Sequence, residues 1–140
     1  MAVGLKRLGL RGALFSSIGV DENGRQVTEC LEKEGIDLTH FKKYPKNQTS
    51  FSIIIVYKGD RTVLVYRGLK DYSLIKIPKT IKTKWIYLGP VANSFEANYP
   101  SLIRLASEKN IALAVNPGHR QIKDGLRELK KLLRVTKVLI

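Results

Sequence analysis

Two polar side chains directly follow apolar runs, where a folded chain can present them to a ligand. Arg67 follows the β-rich run 61–66, and a guanidinium there can hold a carboxylate or a phosphate through paired hydrogen bonds. An arginine that is merely exposed to solvent is an equal alternative. Asn116 follows the apolar run 111–115, and ligands bind at the carboxyl ends of strands in open parallel sheets. The sequence therefore indicates two candidate binding residues without indicating a reaction.

No carboxylate stands out as a general base. The aspartates all lie at predicted turns or helix caps: Asp21, Asp37, Asp60, Asp71 and Asp124. General acid–base catalysis needs a group that is held against the reacting atoms, and none of these positions indicates that. We predict no catalytic residue and no metal site from this sequence.

Composition and length indicate one globular domain. The chain has 140 residues, of which 44% are hydrophobic and 26% charged, and no apolar run approaches the ~18 residues of a membrane span. Cys30 is the only cysteine, so an intrachain disulfide is excluded, and a reducing cytoplasm is expected. It lies beside Val27 and Leu31 in a helical pattern, which predicts a small core residue.

The charge balance is the one unusual property of the composition. Lysine and arginine total 25 against 12 acidic residues, which gives a net charge of +13. Such an excess is compatible with nucleic acid, anionic membranes or phosphorylated small molecules as partners. The positive residues are spread along the chain, however, and no aromatic residues alternate with them at a spacing for base stacking. We therefore interpret them as a solvated surface and do not expect a nucleic-acid partner.

Periodicity and turn residues predict alternating strands and helices. Asp21 is a candidate N-cap, and Lys58-Gly59-Asp60 predicts a hairpin turn. The predicted strands of a parallel sheet are 13–17, 85–88, 111–115 and 137–140. The predicted helices are 25–34, 95–109 and 124–134. An antiparallel insert at about 37–68 contains strands in 49–57 and 61–66, and a third strand in 38–44 is expected to join them.

Both ends of the chain lack the elements that usually flank an α/β domain. It opens on a helical segment without a cap, and it closes on the apolar run 135–140, which is typical of a buried parallel strand. We therefore expect that residues 1–140 are part of a larger enzyme.

Seven segments, in order, resemble the ribokinase-like (PfkB-type) carbohydrate kinases. Gly19-Val-Asp-Glu-Asn-Gly24-Arg25 is similar to the G-x-D-x-x-G-R segment of that family, and 49–52 is similar to the start of its lid strand. The other similar segments are 2–9, 31–37, 61–68, 85–89 and 115–118. The resemblance covers nearly the whole chain.

This resemblance implies a three-layer α/β/α fold with a small antiparallel lid, and ATP and Mg²⁺ as cofactors. It implies transfer of the γ-phosphate to a hydroxyl of a sugar, a nucleoside or a sugar acid. Ser52, Ile54 and Val65 resemble the lid contacts to the sugar, and packing of the lid or of a dimer interface is an equal alternative for them. Arg67 resembles the Tyr-Arg arginine of ketodeoxygluconate-kinase-like relatives. Relatives also often pack two lids into a homodimer.

Departures from the family pattern limit this interpretation. The glycine-rich N-G-G motif and the D-T-x-G-A-G-D motif, which supplies the catalytic aspartate and the anion hole, do not occur in residues 1–140, and the family's N-x-x-E element is expected only after Ile140. Arg67-Gly-Leu-Lys70 replaces the family's R-G-A-N, so the substrate stays open. We expect the isolated chain to be inactive. The alternative hypothesis is a non-catalytic basic α/β module that binds a protein or a nucleic acid.

Overall fold

The computed structural model describes residues 1–68, 77–91 and 93–140. The chain divides into two units, Met1–Lys70 and Asp71–Ile140. Each unit contains parallel strands and helices, and the first also contains a two-stranded antiparallel sheet. The predicted combination of a parallel α/β layer with a small antiparallel insert is therefore confirmed.

The first unit begins with a strand–helix–strand arrangement. Its elements are α1 (Ala2–Arg7), β1 (Ser16–Gly19), α2 (Glu22–Lys33), β2 (Phe41–Tyr44), β3 (Phe51–Tyr57) and β4 (Asp60–Tyr66). Strand β1 starts later than the predicted 13–17, where only an isolated bridge joins Ala13 to Asp37.

Strand β2 corrects one prediction. The segment 38–44 was expected to add a third antiparallel strand to the insert, but β2 pairs in parallel with β1, with Ser16 opposite Phe41. The reason is the connection through α2, because a helix that joins two strands carries the chain back and makes them parallel.

Helix α2 starts at its predicted cap but buries a different face from the predicted one. The side chain of Asp21 caps the helix, while Gly24 and Thr28 are the buried positions. Val27 and Cys30 are exposed, so the predicted core role of Cys30 is wrong. Thr28 tolerates burial because its hydroxyl donates to the carbonyl oxygen of Gly24 (2.8 Å), one turn earlier.

Strands β3 and β4 form a hairpin that pairs with no other described strand. Lys58 and Gly59 both have positive φ, 49° and 87°, as a two-residue type I′ turn requires. The predicted hairpin is confirmed, with Asp60 already inside β4. Ten of its large side chains are 41–69% exposed, so the hairpin has no core of its own.

The second unit is a three-stranded parallel sheet with helices. Its elements are β5 (Trp85–Leu88), α3 (Tyr99–Lys109), β6 (Ala112–Val115), α4 (His119–Lys123), α5 (Leu126–Leu133) and β7 (Thr136–Leu139). A 3₁₀ helix, Asn93–Asn98, precedes α3. The strand order β5-β6-β7 confirms the three predicted strands. The core of the unit consists mainly of Leu102, Leu105, Leu113, Val115, Leu129 and Leu132. Within the part of the chain that the structure describes, no helix is long and apolar enough to cross a membrane.

Candidate functional site

The antiparallel register places three predicted binding residues on one face of the hairpin. Ser52 lies opposite Val65, and Ile54 lies opposite Val63. Directly opposed residues of an antiparallel pair project to the same side, and so do residues two apart on one strand. The predicted set of Ser52, Ile54 and Val65 is therefore one contiguous, exposed surface, which we call the serine face.

The other side of the hairpin is larger and more aromatic. Phe51 lies opposite Tyr66 with ring centroids 5.2 Å apart, and Ile53 lies opposite Leu64. We call this side, together with Ile55, the aromatic face. Isolated two-stranded hairpins are marginally stable in water, and an exposed apolar face favours contact with a ligand, another part of the protein or a second copy of it.

One carboxylate ties the start of this hairpin to the cap of α2. Asp21 Oδ1 accepts hydrogen bonds from the backbone N–H of Gly24 (2.8 Å) and from the hydroxyl of Thr49 (2.6 Å). Its Oδ2 accepts from the backbone N–H of Thr49 (2.7 Å). The Thr49 hydroxyl oxygen also accepts from the backbone N–H of Gly19 (3.2 Å). We call these four residues the hairpin base.

The electrostatics of the hairpin base follow from those contacts. The hydrogen bond from the Thr49 hydroxyl, and then those from the backbone N–H groups of Thr49 and Gly24, hold the pKa of Asp21 below its usual value. The carboxylate is therefore ionised at neutral pH. Both carboxylate oxygens accept from backbone or hydroxyl donors, which is typical of a structural carboxylate and not of a general base.

Gly68 fixes the other end of the hairpin. Its backbone N–H donates to the hydroxyl of Ser50 (3.1 Å), and its carbonyl oxygen accepts from the side-chain amide of Asn47 (3.2 Å). A Cβ at Gly68 would lie 1.8 Å from the carbonyl oxygen of Gln48, so only glycine fits. Arg67, the preceding residue, is exposed, and none of the ion pairs among described residues includes it.

Asn116 lies in the second unit, directly after β6, as predicted. Its backbone N–H donates to the carbonyl oxygen of Leu88 (2.8 Å), and its side-chain amide donates to the hydroxyl of Tyr87 on β5 (3.3 Å). The side chain is half-buried at the carboxyl edge of the sheet. One amide donor is thus engaged, and its carbonyl oxygen has no described partner.

Sequence reasoning missed the partners of the predicted residues. Tyr87, Thr49 and Gln121 position backbone or side chains around the candidate residues, and none was proposed for that. Gln121 had one usable signal, because a glutamine three residues after a helix cap is half of a capping box.

The described residues do not by themselves provide a site for a metal ion. Among residues 1–68, 77–91 and 93–140, no three His, Cys, Asp or Glu side chains lie together in a way that would hold one. Side chains of the described residues alone therefore do not form a closed coordination shell for a metal ion.

Comparison with known proteins identifies the family. Residues 1–117 match the model of the pfkB family of carbohydrate kinases, and the chain belongs to that family. An uncharacterized sugar kinase of Archaeoglobus fulgidus is 28% identical over 146 residues, which are 99% of this chain and 56% of that relative. The chain thus spans little more than half the length of this relative.

Solved structures support the fold. An uncharacterized sugar kinase of Pyrococcus horikoshii in complex with ATP has a TM-score of 0.80 at 23% identity, covering 99% of this chain and 50% of that one. The nucleoside kinase of Methanocaldococcus jannaschii, described as an archaeal member of the ribokinase family, has a TM-score of 0.77 at 18% identity, covering 99% and 45%. The ribokinase-like fold is therefore confirmed.

Proposed function

We propose that this protein transfers the γ-phosphate of ATP to a hydroxyl of a sugar or a sugar derivative, with Mg²⁺ as the metal. The match of residues 1–117 to the carbohydrate kinase family carries the proposal. A nucleoside or a sugar acid is within the same proposal, because the hydroxyl attacks the phosphate in the same way in each. We place the protein in the cytoplasm.

The insert at about 37–68 acts as the lid in this proposal, and residues 1–140 form one partial kinase domain. Phosphoryl transfer to a hydroxyl competes with transfer to water, so a lid over the acceptor excludes water and orients the substrate. The serine face combines the hydroxyl of Ser52 with the apolar side chains of Ile54 and Val65 and carries no aromatic residue. We assign that face, with Ile54 and Val65, to the substrate.

Arg67 and Asn116 complete the proposed substrate contacts. Arg67 is exposed, and the hydrogen bonds of the adjacent Gly68 fix the backbone from which its side chain extends. Its charge is therefore available to a ligand. A guanidinium in that state favours an acceptor that carries a carboxylate or a phosphate. Asn116 supplies a carbonyl oxygen to a substrate hydroxyl at the sheet edge.

The test is ADP release by the full-length gene product with ATP, Mg²⁺ and a panel of neutral sugars, nucleosides and sugar acids. Acceptor-dependent ADP release supports the proposal, and its absence favours the non-catalytic binding module. The variant Arg67→Gln separates the acceptors: we expect at least a tenfold higher KM for a charged acceptor and little change for a neutral sugar. Residues 1–140 alone lack the D-T-x-G-A-G-D motif and should release no ADP.

A homodimer through the aromatic face is the proposed assembly. Each large side chain of this face is more than two fifths exposed: Phe51, Ile53, Ile55, Leu64 and Tyr66. A second copy of the hairpin would cover them across a two-fold axis. Sedimentation at micromolar concentration should show a dimer that Ile53→Lys dissociates. The matched variant Ile54→Lys, on the serine face, should stay dimeric. A wild-type monomer would contradict this assembly.

A further inference from the structure

Gln121 is a polar side chain at the centre of the second unit. It is 0% exposed, and described partners occupy three of its four hydrogen-bonding positions. Its Oε1 accepts from the backbone N–H of Gly118 (2.8 Å) and from that of Val91 (3.2 Å). Its Nε2 donates to the hydroxyl of Tyr99 (2.6 Å), whose pKa burial raises.

The two N–H groups come from equivalent places on neighbouring strands. Leu88 and Val115 end β5 and β6 and are register partners in the sheet. Val91 lies three residues after Leu88, and Gly118 lies three residues after Val115. A single oxygen of Gln121 thus joins the two loops at residues that are equally many positions beyond the ends of their strands.

The loops that Gln121 joins are in close contact around Asn116. A Cβ at Gly118 would lie 3.0 Å from the Cβ of Pro90, so the two loops already approach as closely as a glycine allows. Asn116 lies two residues before Gly118, and its side-chain amide donates to the hydroxyl of Tyr87 on β5. We therefore expect a change in the spacing of the loops to move the backbone that carries the Asn116 side chain.

Filling the core does not explain this choice of residue. An aliphatic side chain of similar volume fills the same space without the cost of burying an amide. A buried amide is retained where its hydrogen bonds define one arrangement of the backbone around it. Gln121 has that property, because its two acceptor bonds run to two different loops.

We propose that Gln121 is a positioning residue for the phosphate-acceptor site: it sets the spacing of the β5 and β6 loops and thereby aims Asn116 at the acceptor. The proposal rests on the kinase function proposed above. It distinguishes the two ends of the side chain, because Oε1 holds the loops while Nε2 donates, among the described residues, to the Tyr99 hydroxyl.

The test compares Gln121→Met with Tyr99→Phe in the full-length protein. Gln121→Met removes the acceptor for both loops at similar volume, and Tyr99→Phe removes only the hydroxyl at the other end. We expect the acceptor KM to rise about tenfold in Gln121→Met, since small displacements of a binding group are costly. In Tyr99→Phe it should stay within about twofold, with a lower melting temperature in both variants. The KM for ATP should not rise together with the KM for the acceptor in Gln121→Met.

Amide hydrogen exchange of Gly118 and Val91 provides the second readout. Both amides should exchange faster in Gln121→Met and remain protected in Tyr99→Phe. Equal loss of melting temperature with an unchanged acceptor KM in both variants would overturn the proposal and leave Gln121 as a structural residue. A wild type without phosphotransferase activity refutes the proposed function instead, and unchanged exchange of the two amides would then also refute the role of Gln121 in joining the loops.

Discussion

The hairpin base and the Gln121 cluster (Gln121 with Val91, Gly118 and Tyr99) each hold two backbone segments with one side chain. Only the hairpin base uses a charged side chain for this. Asp21 accepts from Gly24 and Thr49, which are separated by 25 residues of chain, and is half-exposed. Gln121 accepts from Gly118 and Val91 and is fully buried. Burial in that way would cost a carboxylate its large free energy of hydration, whereas the free energy of hydration that an amide loses is much smaller.

The difference between the two regions predicts different dependence on conditions. Protonation of Asp21 removes an acceptor from the hairpin base, so the attachment of the hairpin depends on pH. The Gln121 cluster contains no group that titrates near neutral pH, so its geometry should be independent of pH. Protein interiors favour neutral anchors, and half-exposed sites permit charged ones.

The largest expected effect is the loss of the buried anchor. Gln121→Leu removes the acceptor of two backbone N–H groups in a buried site, which should lower the free energy of unfolding by about 3 kcal/mol. Urea unfolding of the variant and the wild type measures this. The matched control is Gln26→Leu on the exposed surface of α2, where we expect less than about 0.5 kcal/mol. Equal effects of the two substitutions would contradict the importance of burial.

A smaller loss is expected at the hairpin base. Thr49→Val keeps the shape of the side chain and removes the hydroxyl that bonds both Asp21 and the N–H of Gly19. The backbone N–H of Thr49 still donates to Asp21, so the loss should be about 1–2 kcal/mol. Thr49→Ser retains the hydroxyl and should lose less than half as much in the same urea experiment. A Thr49→Val loss larger than that of Gln121→Leu would reverse the proposed order of the two regions.

The finest distinction between the regions is their response to acid. Because the pKa of Asp21 is lowered in the folded state, its contribution is fully present above the unfolded pKa of about 3.9 and is lost as pH falls through the folded pKa. The free energy of unfolding, measured between about pH 2 and about pH 6, should therefore fall more steeply with acid in the wild type than in Asp21→Asn. In Gln121→Leu, the free energy of unfolding should depend on pH as steeply as it does in the wild type.

Other carboxylates require that comparison to be made as a difference. Arg25 holds the pKa of Glu22 at about 2, and Arg7 lowers the pKa of Glu34. Their contributions are common to the wild type and to Asp21→Asn and cancel when the two curves are subtracted. Parallel curves for these two proteins would show that Asp21 does not supply the pH dependence of the hairpin base.

The elements that sequence reasoning predicted well depend on neighbours in the chain. The hairpin turn follows from Lys58 and Gly59, because a two-residue type I′ turn needs positive φ at both positions. The cap at Asp21 likewise reaches an N–H only three residues away. Strand alternation predicts that Ser52 and Ile54 share one side of β3, and the register of the hairpin adds Val65 to that side.

The errors of sequence reasoning concern packing partners. Segment 38–44 has the composition of a strand in either sheet, and only its pairing with β1 decided that it is parallel. Both faces of α2 carry small or apolar residues, and the buried face at Gly24 and Thr28 left Cys30 exposed. Periodicity identifies a helix but does not choose between two similar faces.

The sequence by itself determined the type of most elements, the turn chemistry and the motif order that resembles the carbohydrate kinases, because these depend on residues close together in the chain. Only the tertiary structure decided the partners of the anchors. Asp21 meets Thr49 across 28 residues, and Gln121 meets Val91 across 30. Contacts at such separations depend on how strands and helices pack, and no local pattern around Asp21 or Gln121 specifies which distant N–H groups their oxygens will accept from.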